Sequence, residues 1–217
     1  MTDTYSYDIT CPACRQPITL DIPRELDAEH DAKALQTIMA GTFGETVCPH
    51  CGQSFYADHP LTVVDSTRRQ LIHLTATTDP IAVQRAVDML AARPETALDE
   101  RPHMRLVFHF DDLREKLILA RYGLDDRTTE LMKVPLLQKM RHERPELGVV
   151  RILYFRKGAD DRFLMLDAAS RTVADVPFRR ERHKALAAQV ARLDDPLLVN
   201  GAWALATLQK YPSLIND

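Results

Sequence analysis

The chain has 217 residues, of which 45% are hydrophobic, and this is enough apolar material to bury one or two cores without help from a metal. The formal net charge is −3, but residues 1–60 carry nine acidic residues against three basic ones, which disfavours contact between this region and phosphate backbones. No apolar run reaches the roughly 20 residues of a membrane span, and residues 1–10 lack the basic and apolar segments of a signal peptide. We therefore expect a cytoplasmic protein whose cysteines stay reduced.

The region around the cysteines is predicted to form short strands and one helix. Runs of β-prone residues at 6–10 and 18–22 flank the first cysteine pair and predict a hairpin with that pair at its tip. A helix is predicted over 27–40, because Asp27 can cap its start and Gly41 can end it. Strands are predicted next at 54–56, 61–65 and 71–75.

The middle of the chain is predicted to contain a helix, a polar linker and a strand. Asp79 followed by Pro80 predicts a helix start, since a capping residue precedes a proline at the first helical position, and this helix should end before Pro94. The polar stretch 93–102 predicts a linker or long loop, and residues 104–110 predict a strand.

Two more helices are predicted to follow this strand. In the first, Asp112 and Glu115 have the spacing of a capping box, and Gly123 is placed to end the helix. The second is predicted over 128–144 and should bend at Pro135, which cannot donate its backbone hydrogen bond.

The last third is predicted to be a three-stranded meander followed by two helices. The strands are expected at 149–155, 162–166 and 172–176, and the helices at 178–193 and 196–211. The predicted fold class is α+β: an N-terminal four-cysteine, zinc-ribbon-like module with a helical insert, followed by mixed helices and a short antiparallel sheet. The predicted domains are residues 1–125, which include the cysteine module, and an α+β region at 126–217.

All four cysteines of the chain fall in two C-x-x-C pairs, Cys11–Cys14 and Cys48–Cys51. Two such pairs can present four thiolates tetrahedrally to one zinc ion, and a site made only of cysteine leaves no position for water. We therefore predict one structural Zn²⁺, bound by Cys11, Cys14, Cys48 and Cys51 in knuckles at 11–14 and 48–52. The separation between the pairs exceeds that of a compact ribbon, and the predicted helix at 27–40 accounts for the excess.

The two knuckles differ at the residue after the second cysteine. Gly52 can take the positive φ that such turns often require, whereas Arg15 occupies the equivalent place and predicts a less regular first turn. The rival interpretation of the pairs is thiol–disulfide exchange, which needs one pair at a helix start. The acidic surroundings, which should raise the thiol pKa values, also count against it.

The paired CPxC motifs, Cys11-Pro12-Ala13-Cys14 and Cys48-Pro49-His50-Cys51, resemble those of the CpXC family of prokaryotic proteins, which is named for them. The resemblance covers about residues 8–125, including the segment 112–115 after a predicted strand. It implies the metal site and the limits of the first domain, and it implies no activity.

No catalytic residue can be assigned from motifs, because the sequence contains no P-loop, dinucleotide fingerprint, G-x-S-x-G or H-E-x-x-H pattern. The acidic doublets are interpreted as helix caps or turn residues, and His30 or His59 as at most minor candidates beside the metal. The sequence thus favours a non-catalytic zinc-binding protein that acts through a protein partner, with nucleic acid disfavoured and no membrane involved.

Two alternatives remain open at this point. One is an enzyme whose active site lies within residues 104–217, which converging ionisable groups in a pocket would favour. The other is a nucleic-acid-associated protein that uses the basic helix at 178–193, where Arg179–Lys184 is a nearly continuous basic run. The oligomeric state is not specified by any of these patterns.

Overall fold

The computed structural model describes residues 4–94 and 102–215, which form two compact units, one ending at Arg114 and the other beginning at Glu115. Most of the predicted linker at 93–102 lies outside the described residues. The architecture is α+β, as predicted, with six α-helices and several small sheets in the described part of the chain. No helix in that part combines the length and the apolar character needed to cross a membrane.

Two antiparallel hairpins carry the cysteine pairs in the first unit. Strand β1 (Thr4–Thr10) pairs with β2 (Pro17–Pro23), so that Thr10 lies opposite Pro17 and the first knuckle occupies the turn between them. Strand β4 (Glu45–Val47) pairs with β5 (Ser54–Tyr56) in the same way around the second knuckle. The predicted hairpin around the first pair is confirmed.

Helix α1 (Ala32–Ala40) starts later than predicted, and the predicted cap at Asp27 is wrong. Residues Glu25–Asp27 instead form strand β3, which lies parallel to β6. The backbone amide of Asp27 donates to a carboxylate oxygen of Asp31 at 2.8 Å, so the side chain of Asp31 holds the turn between strand and helix. The helix ends at Gly41, whose φ of 78° is left-handed, as predicted.

A mixed four-stranded sheet forms the core of the first unit. The strand order is β3–β6–β7–β8. The ranges of the last three strands are Leu61–Asp65 for β6, Gln70–Leu74 for β7 and His103–Val107 for β8. Strands β6 and β7 are antiparallel, whereas β7 and β8 are parallel. All five residues of β7 are buried, so this strand is covered on both faces. Helix α2 (Pro80–Ala91) begins at the predicted proline.

Helix α3 (Phe110–Arg121) begins before Asp112, so the predicted capping box at Asp112 and Glu115 is wrong. Asp112 lies in the first turn, and Glu115 is 3% exposed and pairs with the buried Lys133. Strand β8 accordingly ends before Phe110, which belongs to the helix. The chain leaves α3 through Gly123, whose φ is 64°.

Helix α4 (Asp126–Glu143) is capped by Asp125. A carboxylate oxygen of Asp125 accepts hydrogen bonds from the backbone amides of Arg127 and Thr128, at 2.8 and 3.2 Å. This is the arrangement that satisfies free amides at a helix start. Pro135 lies inside the helix, within the predicted range.

The predicted meander is confirmed as an antiparallel sheet of order β11–β10–β9. Its strands are β9 (Arg151–Lys157), β10 (Asp160–Leu166) and β11 (Thr172–Pro177). Helices α5 (Arg180–Val190) and α6 (Gly201–Lys210) follow. The start of α6 predicted at residue 196 is wrong, since Asn200 caps this helix by accepting from the amide of Trp203 at 3.0 Å.

Candidate metal centre

The first cysteine pair is held by two backbone hydrogen bonds at the tip of the β1–β2 hairpin. The amide of Cys11 donates to the carbonyl of Gln16 at 2.9 Å, and the amide of Arg15 donates to the carbonyl of Cys11 at 3.0 Å. Together they close the turn so that the Sγ atoms of Cys11 and Cys14 lie within 4.8 Å of each other.

The second pair repeats these bonds. The amide of Cys48 donates to the carbonyl of Gln53 at 2.9 Å, and the amide of Gly52 donates to the carbonyl of Cys48 at 2.9 Å. The amide of His50 also points at the Sγ of Cys48, at 3.4 Å, in the manner of amides that stabilise bound thiolates. The two knuckles are therefore equivalent structures.

Arg15 adopts the same left-handed backbone as Gly52, with φ values of 61° and 73°. The expectation that Arg15 makes the first turn less regular is wrong, because the hydrogen bonds and the backbone conformation are the same in both turns. A residue with a side chain pays roughly 1–2 kcal/mol for this conformation, so the turn at Arg15 is formed against a local cost.

We predict that Gly52→Ala lowers the free energy of unfolding of the first unit by about 1 kcal/mol. A Cβ atom at Gly52 meets nothing within 4 Å, so the cost comes from the backbone conformation alone. Native-state hydrogen exchange of the hairpin amides measures the change. Gln53→Ala is the matched control, since the side chain of Gln53 is exposed and, within the described part of the chain, hydrogen-bonds only the neighbouring carbonyl of Ser54. Equal effects of the two substitutions would contradict the argument.

The four sulfur atoms lie within 4.8 Å of one another. The Sγ atoms of Cys11 and Cys51 are 3.8 Å apart, and those of Cys14 and Cys48 are 3.6 Å apart, so each close contact joins the two hairpins. Four sulfurs bound tetrahedrally at 2.3 Å from a zinc ion would be separated by about 3.8 Å. These cysteines are therefore placed to hold a metal ion.

The inner side of the cluster is apolar. Cys11 and Cys48 are fully buried and pack with the buried side chain of Ile18, whereas Cys14 is half-buried and Cys51 is exposed. Partly buried side chains complete the packing around them: Ile9, Leu20 and Phe55. The cluster is therefore shielded from water on one side and lies at the surface on the other.

The turn amides and the neighbouring thiols shift the pKa values of Cys11 and Cys14. The backbone amide of Cys14 lowers the pKa of Cys11 to about 6, although burial opposes it. The amide of Gln16 lowers the pKa of Cys14, but burial and the hydrogen bonds to the other thiols raise it to about 12. The causes of these two shifts lie in the turn and in the other thiols, and no acidic residue is among the largest of them. Neighbouring thiols ionise together only if a cation compensates their charge.

Neither histidine considered as a flanking group joins the cluster. His30 is exposed and pairs with Asp27 at 3.1 Å. His59 is buried between the rings of Phe43 and Phe110, with centroids 5.7 and 5.3 Å away, and burial lowers its pKa. Within residues 4–94 and 102–215, the only group able to hold a metal consists of the four cysteines.

The structure also reveals a buried ionic cluster in the second unit, which the sequence did not predict. It consists of two lysines and three carboxylates: Glu115, Lys116, Asp126, Glu130 and Lys133. The ammonium group of Lys133 lies 2.7 Å from Glu115 and 2.7 Å from Glu130. Lys116 lies 2.7 Å from Asp126 and donates to the carbonyl of Val199 at 2.8 Å.

The spacing of these residues in the sequence explains why the sequence does not predict the cluster. Asp126, Glu130 and Lys133 are separated by four and three residues, so they share one face of α4. A polar face of this kind is normally assigned to solvent, but residues 126–133 are all buried. Ionisable groups within 104–217 thus converge in this cluster, where they form ion pairs with one another.

The basic run Arg179–Lys184 does not form a continuous cationic surface. Arg180 pairs with Asp161, which also accepts from Tyr154 at 2.6 Å and from Arg156 at 2.7 Å. His183 is buried and its ring lies 3.0 Å from the carbonyl of Asp125. Arg179, Arg182 and Lys184 are also exposed, and the two arginines line a groove.

The fold and the site together define an α+β protein whose N-terminal hairpins present four cysteines suited to a metal. A family model described as CpXC protein matches residues 9–133, which is more than half of the chain. The chain belongs to the CpXC family, as the CPxC motifs predicted. Comparison with curated proteins found no match, and comparison with solved structures found none either.

Proposed function

We propose that Cys11, Cys14, Cys48 and Cys51 bind one Zn²⁺, which acts as a structural ion between the two hairpins. The observation that carries this proposal is the clustering of the four Sγ atoms within 4.8 Å. The hairpins β1–β2 and β4–β5 are each sheets of only two strands, and β4 and β5 have three residues each. Such small sheets are marginal in water by themselves, so a metal crosslink would supply much of their stability.

The donor set favours zinc. Four thiolates suit a soft or borderline metal with tetrahedral geometry, and zinc and iron are the candidates that fit. With four protein ligands, the ion would have no position left for water or substrate, and we infer a structural role rather than a catalytic one.

We further propose that the protein is not an enzyme and works in the cytoplasm through contacts with a protein partner. The ionisable groups that converge in the second unit support this view, since they are buried and paired with one another. The excess of acidic residues over 1–60 supports a role without nucleic acid for the cysteine module.

Purified protein should contain one zinc ion per chain, as measured by elemental analysis after dialysis against metal-free buffer. The thiols should react with a disulfide reagent slowly in this form and rapidly once a chelator has removed the metal. An iron content of one or more per chain, or metal-free protein whose four thiols all titrate at once, would defeat the proposal of a zinc site.

A further inference from the structure

A surface groove in the second unit has an apolar floor and apolar walls. Its volume is about 450 Å³, within the roughly 300–1,000 Å³ of typical ligand sites. Met132 of α4 and Phe163 of β10 are buried at its base. Half-buried side chains form its walls: Pro135, Leu136 and Val176. The groove thus offers apolar surface that a partner can cover.

The rim of this groove is cationic. Lys139, Arg179 and Arg182 line it and are exposed, and none of its lining residues is acidic. Among the described residues, no carboxylate lies within ion-pair distance of Arg179 or Arg182, and Lys139 makes only a loose pair with Glu143 at 3.9 Å. Positive charge beside an apolar surface is complementary to a ligand that carries apolar groups and carboxylates together.

We propose that this groove binds an acidic amphipathic peptide segment of a partner protein. The four lining residues of α4 (Met132, Pro135, Leu136 and Lys139) follow helical spacing, so an apolar stripe of the peptide can pack along one face of this helix. Carboxylates at the edge of that stripe would meet Arg179 and Arg182. The proposal specifies the partner contacts proposed above and does not depend on zinc.

Two other ligand classes fit the groove less well. Single-stranded nucleic acid needs exposed aromatic rings for base stacking, and the only ring lining the groove, Phe163, is 3% exposed. A long-chain carboxylate would match the charge, but the exposed rim and half-buried walls leave the groove open, so part of its chain would stay in water.

The test uses the full-length protein and a fluorescein-labelled peptide of about 16 residues, long enough to form an isolated helix. The peptide carries leucine along one helical face and glutamate elsewhere, and fluorescence anisotropy measures its binding at about 0.15 M salt. We expect saturable binding that weakens about tenfold in the double variant Arg179→Ala/Arg182→Ala. Leu136→Glu, which places a carboxylate in the wall, should abolish it.

Matched controls separate the groove from general charge effects. Arg192→Ala removes an exposed arginine that does not line the groove, and it should leave the affinity unchanged. Fluorescence of Trp203, in α6 of the same unit, reports whether each variant is folded. A peptide of the same composition with a scrambled order should bind at least about tenfold more weakly, because it has no apolar face.

Several results would overturn the proposal: no saturable binding, equal binding of the scrambled peptide, or full affinity in the double variant. Tighter groove-dependent binding of single-stranded RNA or of sodium laurate would overturn it as well, and would assign the groove to that ligand. Zinc content measured on the same samples distinguishes the two proposals. If the protein contains zinc but does not bind the peptide, the proposal of a peptide site is wrong and the proposal of a zinc site stands.

Discussion

Replacement of Cys48 by serine is expected to unfold both cysteine hairpins while the second unit stays folded. Metal binding contributes on the order of 10 kcal/mol to small zinc sites, which is comparable to the whole stability of a domain. The apolar cluster around Cys11 and Cys48 is small, and Ile18 is its one other buried member among the described residues, so it offers little to replace this contribution. Hydrogen exchange should show loss of protection in β1, β2, β4 and β5 and retained protection in α4.

The control for this prediction is again Gln53→Ala, which lies in the same turn region but changes no sulfur. It should leave protection of the hairpins intact. Trp203, the only tryptophan of the chain, lies in the second unit and should show the same urea transition in Cys48→Ser as in the wild-type protein. Unchanged protection of the hairpins in Cys48→Ser would show that the thiol cluster is not needed for their stability.

The substitution Lys133→Met is expected to destabilise the second unit by about 3–5 kcal/mol, the usual cost of removing one partner from a buried ion pair. Lys133 is buried, and Glu115 and Glu130 raise its pKa above its usual value despite its burial, so it is a cation in the folded protein. Without it, these two carboxylates lose the ammonium group that lies 2.7 Å from each of them. Urea unfolding followed by Trp203 fluorescence measures the loss.

Lys139→Met is the matched control, because Lys139 lies on the same helix and is exposed. Its effect should stay within about 0.5 kcal/mol, as for most surface substitutions. If both variants lose the same free energy of unfolding, the buried ion pairs of Lys133 do not contribute to the stability of the second unit.

The cost of Lys133→Met should also depend on pH. Burial raises the pKa of Glu115, and the neighbouring charge of Glu130 raises it further, while Lys133 lowers it. Removal of Lys133 therefore moves this pKa further above its unfolded value of about 4.3. A carboxylate with a raised pKa binds its proton more readily in the folded state, so stability falls as pH rises above about 4.3. The variant should thus lose less stability at pH 5 than at pH 7.5.

Local sequence signals predicted the cysteine hairpin, the start of α2 and the meander. The cysteine pairs with their flanking strands, the Asp79–Pro80 step and the turns of the meander each act over a few neighbouring residues. Such signals need no information about distant parts of the chain. The family match over 9–133 also agrees with a resemblance that rested on two short motifs.

Two of the wrong helix starts, those assigned to Asp27 and Asp112, share a physical cause. Asp27 and Asp112 are good capping residues by type, but Asp27 is in a strand beside β6 and Asp112 already lies inside α3. A good capping residue stabilises a helix start by about 1 kcal/mol. The free energy of strand pairing or of core packing can exceed this amount and move the helix start to another residue. At Asp125, by contrast, the side chain caps α4 by accepting from the amides of Arg127 and Thr128.

By itself, the sequence determined the four-cysteine site, the α+β class and most of the strands and helices, because their causes lie within a few residues of each other. Only the tertiary structure decided that β3 pairs in parallel with β6, that Glu115 and Lys133 are buried together, and that a cationic rim borders an apolar groove. These features depend on the free energy of contacts between residues far apart in the chain. Such contacts bury polar groups only where charged partners meet them, and no local pattern records where those partners are.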